Sequence, residues 1–226
     1  MDVVCVKWGD KFSHQHVNRL YRMVCKNFHD SFRFICYTEN SEGINKEIHI
    51  QPLPHENLET WWWKLTLFQE VRGPTLFLDL DVVIQNDITH FKEYVKKDCL
   101  CLVKAYWKPY VYRQKIDFDV DINSSIMLWE GDLTHVWKDF IKDIDRHLFR
   151  YVGIDRYLYY DKASFLDYIP EGECYSRRYG IDYTNFNLFG LEDKFYYDDK
   201  KSICIFDGWT QLFGNEGYNG FEQYYN

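Results

Sequence analysis

The first forty residues alternate between short apolar runs and one amphipathic stretch. Residues 3–6 form an uninterrupted apolar run, as expected for a strand that is covered on both faces. Apolar side chains then recur at helical spacing over residues 17–28, which predicts an amphipathic helix, and Ser13 is placed to cap its first turn. A second strand is predicted over residues 32–37. A strand, a helix and a strand at this spacing predict a parallel β-α-β unit.

The apolar run of residues 76–84 is interrupted only by Asp79 and Asp81. On one continuous strand, the alternation of side chains would place both carboxylates on the same face. Isolated carboxylates are costly to bury, so we expect the pair at the carboxyl end of a strand, facing water or a cation. A hard divalent cation would satisfy both carboxylates. A chance occurrence of this tripeptide in an acidic chain is the alternative.

An aromatic segment precedes this run. Residues 60–68 are predicted to form a helix whose apolar face carries Lys64 at its centre. One interpretation is a lysine whose stem packs against apolar neighbours while its ammonium reaches water. The other is an ammonium held beside an anionic group, such as a phosphate or the aspartate pair.

The second half of the chain predicts further strands and two helices. Strands are expected at residues 100–103, 126–129 and 202–206. Apolar spacing over residues 133–144 predicts an amphipathic helix that is capped by Asp132. A shorter helix follows with Asp155 in its first turn, where the helix dipole stabilises a carboxylate whatever its function. The alternating acids of residues 117–121 are predicted to form a solvated edge or loop, with metal ligation as the alternative.

Length and charge narrow the possible functions. The chain is predicted to form a single domain over residues 1–226, with residues 212–226 as a flexible tail. Its 35 acidic and 27 basic residues give a formal net charge of −8, which argues against a nucleic-acid-binding surface. No window approaches the ~20 apolar residues of a membrane span, and the first residues show no signal-peptide pattern. We therefore expect a cytoplasmic protein without a membrane span.

The chain has seven cysteines, an odd number, and no two of them have the C-x-x-C spacing. Cys5, Cys36, Cys101 and Cys204 lie within apolar runs and are predicted to be small core residues. Such cysteines predict a reducing compartment. No cysteine pair is followed by a second pair or by a histidine pair at ligand spacing, which argues against a structural zinc site.

Four motifs in this order carry a family resemblance. They are the tripeptide 79–81, Lys64 within residues 63–65, the segment 122–127 with its Asn-Ser-Ser, and the segment 153–155. Over about residues 3–210 the chain resembles nucleotide-sugar glycosyltransferases of the glycosyltransferase A fold, nearest to the glycogenin and lipopolysaccharide galactosyltransferase family. The resemblance implies an α/β fold, a single Rossmann-like domain with a mostly parallel central sheet flanked by helices.

The resemblance also implies a donor and a metal. The donor would be a nucleoside diphosphate sugar, with a UDP-sugar favoured, and the acceptor hydroxyl would belong to an unidentified glycan, lipid or protein. A hexose is the sugar expected to be transferred. The cofactor would be Mn²⁺ or Mg²⁺, held by Asp79, Asp81 and Asp207, and Asp79 would thereby also contact the donor.

Further residues receive roles by the same resemblance. Val6, Lys7 and Trp8, at the end of the first strand, would contact the nucleotide base. Lys64 would place a fixed positive charge beside the diphosphate leaving group. Asn123 and Asp155 would orient hydroxyls of the transferred sugar.

Three positions depart from the family pattern. The histidine of a late H-x-G motif is Asp207 here, and the basic and proline residues expected after it are replaced at 209–211. The glycine of N-S-G is Ser125, which would crowd the sugar. The glutamine that often follows the sugar-contacting aspartate is Arg156, which leaves the stereochemical course open.

Two other functions therefore stay open. Residues 76–83 also fit the motif of haloacid dehalogenase-type phosphatases, in which Asp79 would be a nucleophile. That motif usually opens a chain, however, and here two predicted strands precede it. The departures at 125, 156 and 207 are also compatible with a non-catalytic nucleotide-sugar binding module.

Overall fold

A computed structural model describes residues 1–54, 58–108, 120–181, 196–206 and 221–225. Within these ranges, ten strands form a seven-stranded sheet and a three-stranded sheet. The strands are β1 Asp2–Lys7, β2 Arg33–Thr38, β3 His49–Gln51, β4 Thr75–Leu78, β5 Val82–Ile84, β6 Cys99–Lys104, β7 Ile122–Glu130, β8 Leu166–Ile169, β9 Cys174–Ser176 and β10 Ile203–Ile205. The large sheet has the order β3-β2-β1-β4-β7-β6-β8, and the small sheet has the order β5-β10-β9.

The large sheet is mostly parallel. Strands β1, β2, β3 and β4 pair in parallel, as do β6 and β8. Strand β7 pairs antiparallel with both of its neighbours, β4 and β6. The predicted α/β fold with a mostly parallel central sheet flanked by helices is therefore confirmed.

Helices cover the sheet on both faces. The α-helices are α1 His14–Asn27, α2 Leu67–Glu70, α3 Thr134–Ile141, α4 Ile144–Arg150, α5 Ile154–Asp161 and α6 Glu222–Tyr225. Short 3-10 helices span Thr60–Thr66, Thr89–Tyr94 and Ala163–Phe165. Ser13 caps α1 as predicted, since its side chain accepts a hydrogen bond from the Gln15 backbone. Asp132 accepts from the Thr134 backbone at 3.0 Å, so it satisfies a donor at the start of α3.

Alternate residues of the central strands pack into two separate cores. On β4, Leu76 and Leu78 face the core that includes α1 and the small sheet, whereas Phe77 faces the core beneath α2, α3 and α5. Because both faces are covered, the central strands are apolar throughout. The four cysteines predicted in the core are buried, whereas Cys25 on α1 is exposed.

The run of residues 76–84 is two strands and not one. Strand β4 ends at Leu78 in the large sheet, and β5 begins at Val82 in the small sheet, where it pairs antiparallel with β10. The predicted single strand is therefore wrong. Asp79 and Asp81 lie in the turn between the two sheets, where strand alternation does not apply.

Two further predictions concern the ends of the chain and the membrane. Of the predicted tail, the structure describes residues 221–225, in which Phe221 is buried against Phe206. The single-domain organisation and the flexibility of the tail stay predictions. Within the described ranges, no helix combines the length and the apolar character that crossing a bilayer requires.

Candidate active site

A cleft with a volume of about 670 Å³ opens at the carboxyl edge of the central sheet. Trp8 follows β1 and Asp79 follows β4, so both lie at this edge. Strand β7 runs in the opposite direction, which brings its first residues to the same edge. The cleft is lined by Val6, Trp8, Lys11, Phe12, Thr60, Trp61, Lys64, Asp79, Asp81, Lys108, Val120, residues 123–125, residues 152–156, Arg178 and Tyr179.

Lys64 and Asp79 form a partly buried ion pair that lines this cleft. The Lys64 Nζ lies 2.7 Å from Asp79 Oδ2 and also donates to the Ser124 backbone oxygen at 3.2 Å. Only 9% of the Lys64 side chain is exposed, so most of it is withdrawn from bulk water. The structure thus agrees with the second interpretation of Lys64, an ammonium held beside the aspartate pair.

The segment that carries Lys64 differs from the predicted helix. Residues Thr60–Thr66 form a 3-10 helix, and only Leu67–Glu70 are α-helical. A 3-10 helix places residues three apart on the same side, so the predicted α-helical arc is wrong. Trp62 and Trp63 are both buried, whereas Trp61 is exposed to the cleft.

Burial shifts the acidity of Asp79. Desolvation raises the pKa of Asp79 to about 6, although the charge of Lys64 lowers it, and the nearby charge of Asp81 raises it further. A carboxyl group with this pKa exchanges its proton close to neutral pH, and an additional cation would favour its ionised form.

The backbone of Asp81 is hydrogen-bonded to the residue that follows β10 of the small sheet. Its backbone oxygen accepts a hydrogen bond from the Phe206 backbone at 3.2 Å, directly after β10, whereas the Asp79 backbone donates to Ser125 of β7 at 2.8 Å. The Asp81 residue is buried, at 6% exposure, and lines the cleft. The two aspartates are therefore positioned by different sheets at one cleft.

The donor set fits a hard divalent cation in part. Two carboxylates supply the oxygen ligands that Mg²⁺ and Mn²⁺ prefer. Among the described residues there is no group of three or more His, Cys, Asp and Glu side chains that could hold a metal. Asp207, the predicted third ligand, lies outside the described residues, as do Asp117 and Asp119. The described chain therefore offers Asp79 and Asp81, and further ligands would have to come from elsewhere.

The start of β7 bulges into the cleft. Leu102 pairs with Met127 but the next residue, Val103, pairs with Asn123, so three residues of β7 have no partner on β6. Such an irregularity redirects side chains. Asn123 Oδ1 accepts from the Ser125 backbone at 2.8 Å, and Asp155 Oδ1 accepts from the Ser124 backbone at 3.1 Å. The structure therefore brings Asn123 and Asp155 together, on either side of residue 124.

Of the three residues predicted to contact the base, the structure places two in the cleft. Val6 and Trp8 line the cleft, and Lys7 between them does not, as the alternation of strand side chains requires. The Lys7 Nζ lies 4.0 Å from Glu39 Oε1. A base contact by Lys7 stays a prediction that this arrangement does not favour.

Sequence reasoning missed most of the positive charge in the cleft. Lys108 is nearly buried, and its Nζ donates to the Ile122 backbone oxygen at 3.1 Å. The Arg178 guanidinium lies 4.6 Å from the centre of the Tyr179 ring. Among the described residues the cleft is lined by the cations Lys11, Lys64, Lys108, Arg156 and Arg178 and by the carboxylates Asp79, Asp81 and Asp155. Among the described lining residues of this acidic protein, cations therefore outnumber carboxylates, which suits an anionic ligand.

Solved structures share this fold, although no protein-family model and no curated protein matches the sequence. The galactosyltransferase LgtC, solved with donor and acceptor sugar analogues, is 14% identical with a TM-score of 0.62, covering 99% of this chain and 94% of that chain. Mouse xyloside xylosyltransferase 1 is 8% identical with a TM-score of 0.55, covering 92% and 98%. The bifunctional glycosyltransferase WbbM is 12% identical with a TM-score of 0.60, covering 91% of this chain but only 45% of that chain.

At these identities the likeness defines the fold. The chain has the glycosyltransferase A fold, and the carboxyl edge of its sheet carries the cleft with the aspartate pair. The predicted resemblance to nucleotide-sugar glycosyltransferases is confirmed at this level, and LgtC is similar to this chain over nearly the whole length of both.

Proposed function

We propose that this protein transfers a hexose from a nucleoside diphosphate donor, in the first place a UDP-sugar, to an acceptor hydroxyl, and that the reaction needs Mn²⁺ or Mg²⁺. The observation that carries the proposal is the meeting of the 79–81 turn, Lys64 and the Asn123–Asp155 region in one cation-rich cleft of a glycosyltransferase A fold. The fold comparison supports sugar transfer as the reaction class.

The metal would be held by Asp79 and Asp81, with Asp207 as the predicted third ligand. When bound, it would neutralise negative charge on the diphosphate as the glycosidic bond breaks. Lys64 would help to neutralise the same negative charge. Its ammonium is held in place by Asp79 and by the Ser124 carbonyl before any ligand binds. Such preorganised positive charge costs no reorganisation during the reaction.

The sugar-binding part of the proposal involves β7 and α5. Asp155 lies in the first turn of α5, and one carboxylate oxygen is occupied by the Ser124 backbone, which fixes the orientation of the group. Asn123 is oriented by its hydrogen bond with the Ser125 backbone. We propose that these two side chains bind hydroxyls of the transferred sugar.

Thermal unfolding with a panel of ligands tests the proposal. UDP, GDP, UDP-glucose, UDP-galactose and GDP-mannose are each added with and without Mn²⁺, because a ligand that binds only the folded state raises the melting temperature. We expect one nucleotide series to stabilise the protein only when Mn²⁺ is present. Release of free nucleoside diphosphate from the binding donor is then measured over time.

The outcomes distinguish the alternatives. Stabilisation together with release of the diphosphate supports the transferase. Stabilisation without release, on any acceptor, would favour the non-catalytic binding module. No stabilisation by any nucleotide, combined with hydrolysis of a simple phosphate ester, would favour the phosphatase. The cytoplasmic location stays a prediction.

A further inference from the structure

Trp61 is the exception in a run of three tryptophans. Trp62 and Trp63 are 6% and 2% exposed, and both pack in the core beneath α3 and α5. Trp61 is 45% exposed and lines the cleft. A large aromatic side chain left open inside a polar cleft is a candidate for ligand contact, since most binding pockets combine apolar rings with a few polar groups.

The backbone before Trp61 has an uncommon conformation. Thr60 has a φ of 56°, in the left-handed region that a β-branched residue seldom adopts. Thr60 itself lines the cleft, and the 3-10 helix begins at this residue. Strained backbone of this kind concentrates at functional sites, where the surrounding structure holds it in place.

Gly153 allows the Trp61 ring to lie against the start of α5. A Cβ atom at Gly153 would be 3.3 Å from Trp61 Nε1, closer than ordinary contact, and 3.6 Å from Cε2, at ordinary contact distance. Val152, which is 58% exposed, lines the same part of the cleft. The exposed indole and Val152 therefore form an apolar patch beside Asp155 and Arg156, whose polar groups suit sugar hydroxyls.

We propose that Trp61 and Val152 form the subsite for the acceptor sugar, which would be a pyranose whose C–H face stacks on the indole. This inference rests on the proposed transferase function and adds the acceptor site to it. One face of a pyranose ring is apolar and its edge carries hydroxyls, which matches an aromatic face bordered by a carboxylate. Trp8 offers a second ring at the end of β1, so the base has its own candidate and does not require Trp61.

The test measures the acceptor KM and the donor KM of Trp61→Ala and Trp61→Phe. The acceptors are methyl β-glucoside, methyl β-galactoside, lactose and cellobiose, with whichever donor the nucleotide panel identifies. We expect Trp61→Ala to raise the acceptor KM about tenfold, and Trp61→Phe, which keeps a ring, to raise it about threefold. The donor KM should change less than about twofold.

Two further variants control the result. Phe149→Ala removes the 94% exposed ring of α4, which does not line the cleft, and should leave both KM values unchanged. Gly153→Ala would displace the indole by a few tenths of an ångström and should raise the acceptor KM about threefold. It also tests the subsite independently if Trp61→Ala does not fold, which thermal unfolding of each variant would reveal.

Several outcomes would overturn the inference. They are an unchanged acceptor KM in Trp61→Ala, an equal effect of Phe149→Ala, a rise in the donor KM instead, or no use of any of the four sugars. If a donor is bound and hydrolysed with Mn²⁺ but one of these outcomes is found, the acceptor subsite is wrong and the transferase proposal stands. If no nucleotide sugar binds at all, the proposed function itself fails.

Discussion

Two partly buried lysine–aspartate pairs lie near the start of β7 and are arranged in opposite ways. In the cleft, Lys64 is the covered partner, with 9% of its side chain exposed, and Asp79 is the more open one at 23%. In the other pair, at 2.9 Å, Lys104 is 28% exposed and Asp121 only 8%. Lys104 and Asp121 do not line the cleft. The first pair presents a carboxylate to the cleft, whereas the second presents an ammonium to solvent.

The acidities of the two pairs reflect this difference. Burial raises the pKa of Asp79 to about 6 despite its lysine. Burial lowers the pKa of Lys104, but the hydrogen bond and charge of Asp121 outweigh it, so the net shift is upward. Burial of an ion pair alone therefore does not indicate a functional site. What matters is which partner faces a cleft and which charge remains to be compensated there.

The largest expected effect comes from Asp81, which places a second carboxylate beside the cleft pair. Asp81→Asn keeps the shape of the side chain but removes its charge, so we expect Mn²⁺-dependent release of nucleoside diphosphate to fall by about 10³-fold. The rate is measured at saturating donor over a range of Mn²⁺ concentrations, with circular dichroism as the control for folding. A rate within about tenfold of the wild type would remove the metal assignment.

Lys64→Met and Lys104→Met compare the two lysines directly. Removing the ammonium of Lys64 should lower kcat by about 10²- to 10³-fold, because the charge on the leaving group loses a fixed partner. The matched change at Lys104 should leave kcat within about threefold, since that ammonium does not reach the cleft. Equal losses of activity in both variants would show that the comparison between the pairs is wrong.

For the stability of the fold, we expect the Lys104–Asp121 pair to be important although it is not expected to affect catalysis. Lys104→Met leaves the Asp121 carboxylate buried without its ammonium, and we expect the free energy of unfolding to fall by about 2 kcal/mol. Urea denaturation measures this value. Lys142→Met is the control, because its ion pair with Asp139 is exposed on both sides and should contribute less than about 0.5 kcal/mol.

The smallest effect concerns pH and Asp79. The pKa of Asp79 is about 6 in the folded protein and close to 3.9 in an unfolded chain. The stability that this group contributes is therefore complete below about pH 4 and is lost as the pH rises through about 6. Between about pH 5 and pH 7, the metal-free wild type should lose about 1 kcal/mol relative to Asp79→Asn. Urea denaturation of both proteins at the two pH values measures the difference, and a wild type that gains stability over this interval would contradict it.

Much of the fold could be predicted because the spacing of apolar residues along the chain matches the strands and helices that cover the central sheet. The β1-α1-β2 unit, the Ser13 cap and the short helix with Asp155 all depend on local spacing, and the structure has each of them. The division of residues 76–84 between two sheets could not be predicted. Residues 76–78 and 82–84 are all apolar and buried, so their composition does not indicate which sheet each segment joins.

Residues of the candidate site could be predicted where a charged residue interrupts an apolar run. They were missed in segments without regular hydrophobic spacing. Lys64 and Asp79 stand out in this way, and the structure pairs them. Lys108 and Arg178 follow strands but lie in irregular segments, where sequence spacing indicates nothing about their neighbours. The exposure of Trp61 depends on a 3-10 helix, which α-helical periodicity cannot represent.

The turn between β4 and β5 is tied at one end to the large sheet, through Asp79 and Ser125, and at the other to the small sheet, through Asp81 and Phe206. The spacing between the two aspartate backbones is thus fixed by hydrogen bonds to two different sheets. Transplanting the tripeptide into another protein's loop would not carry this spacing with it. Conversely, a substitution within β10 that displaces Phe206 would shift the Asp81 backbone relative to that of Asp79.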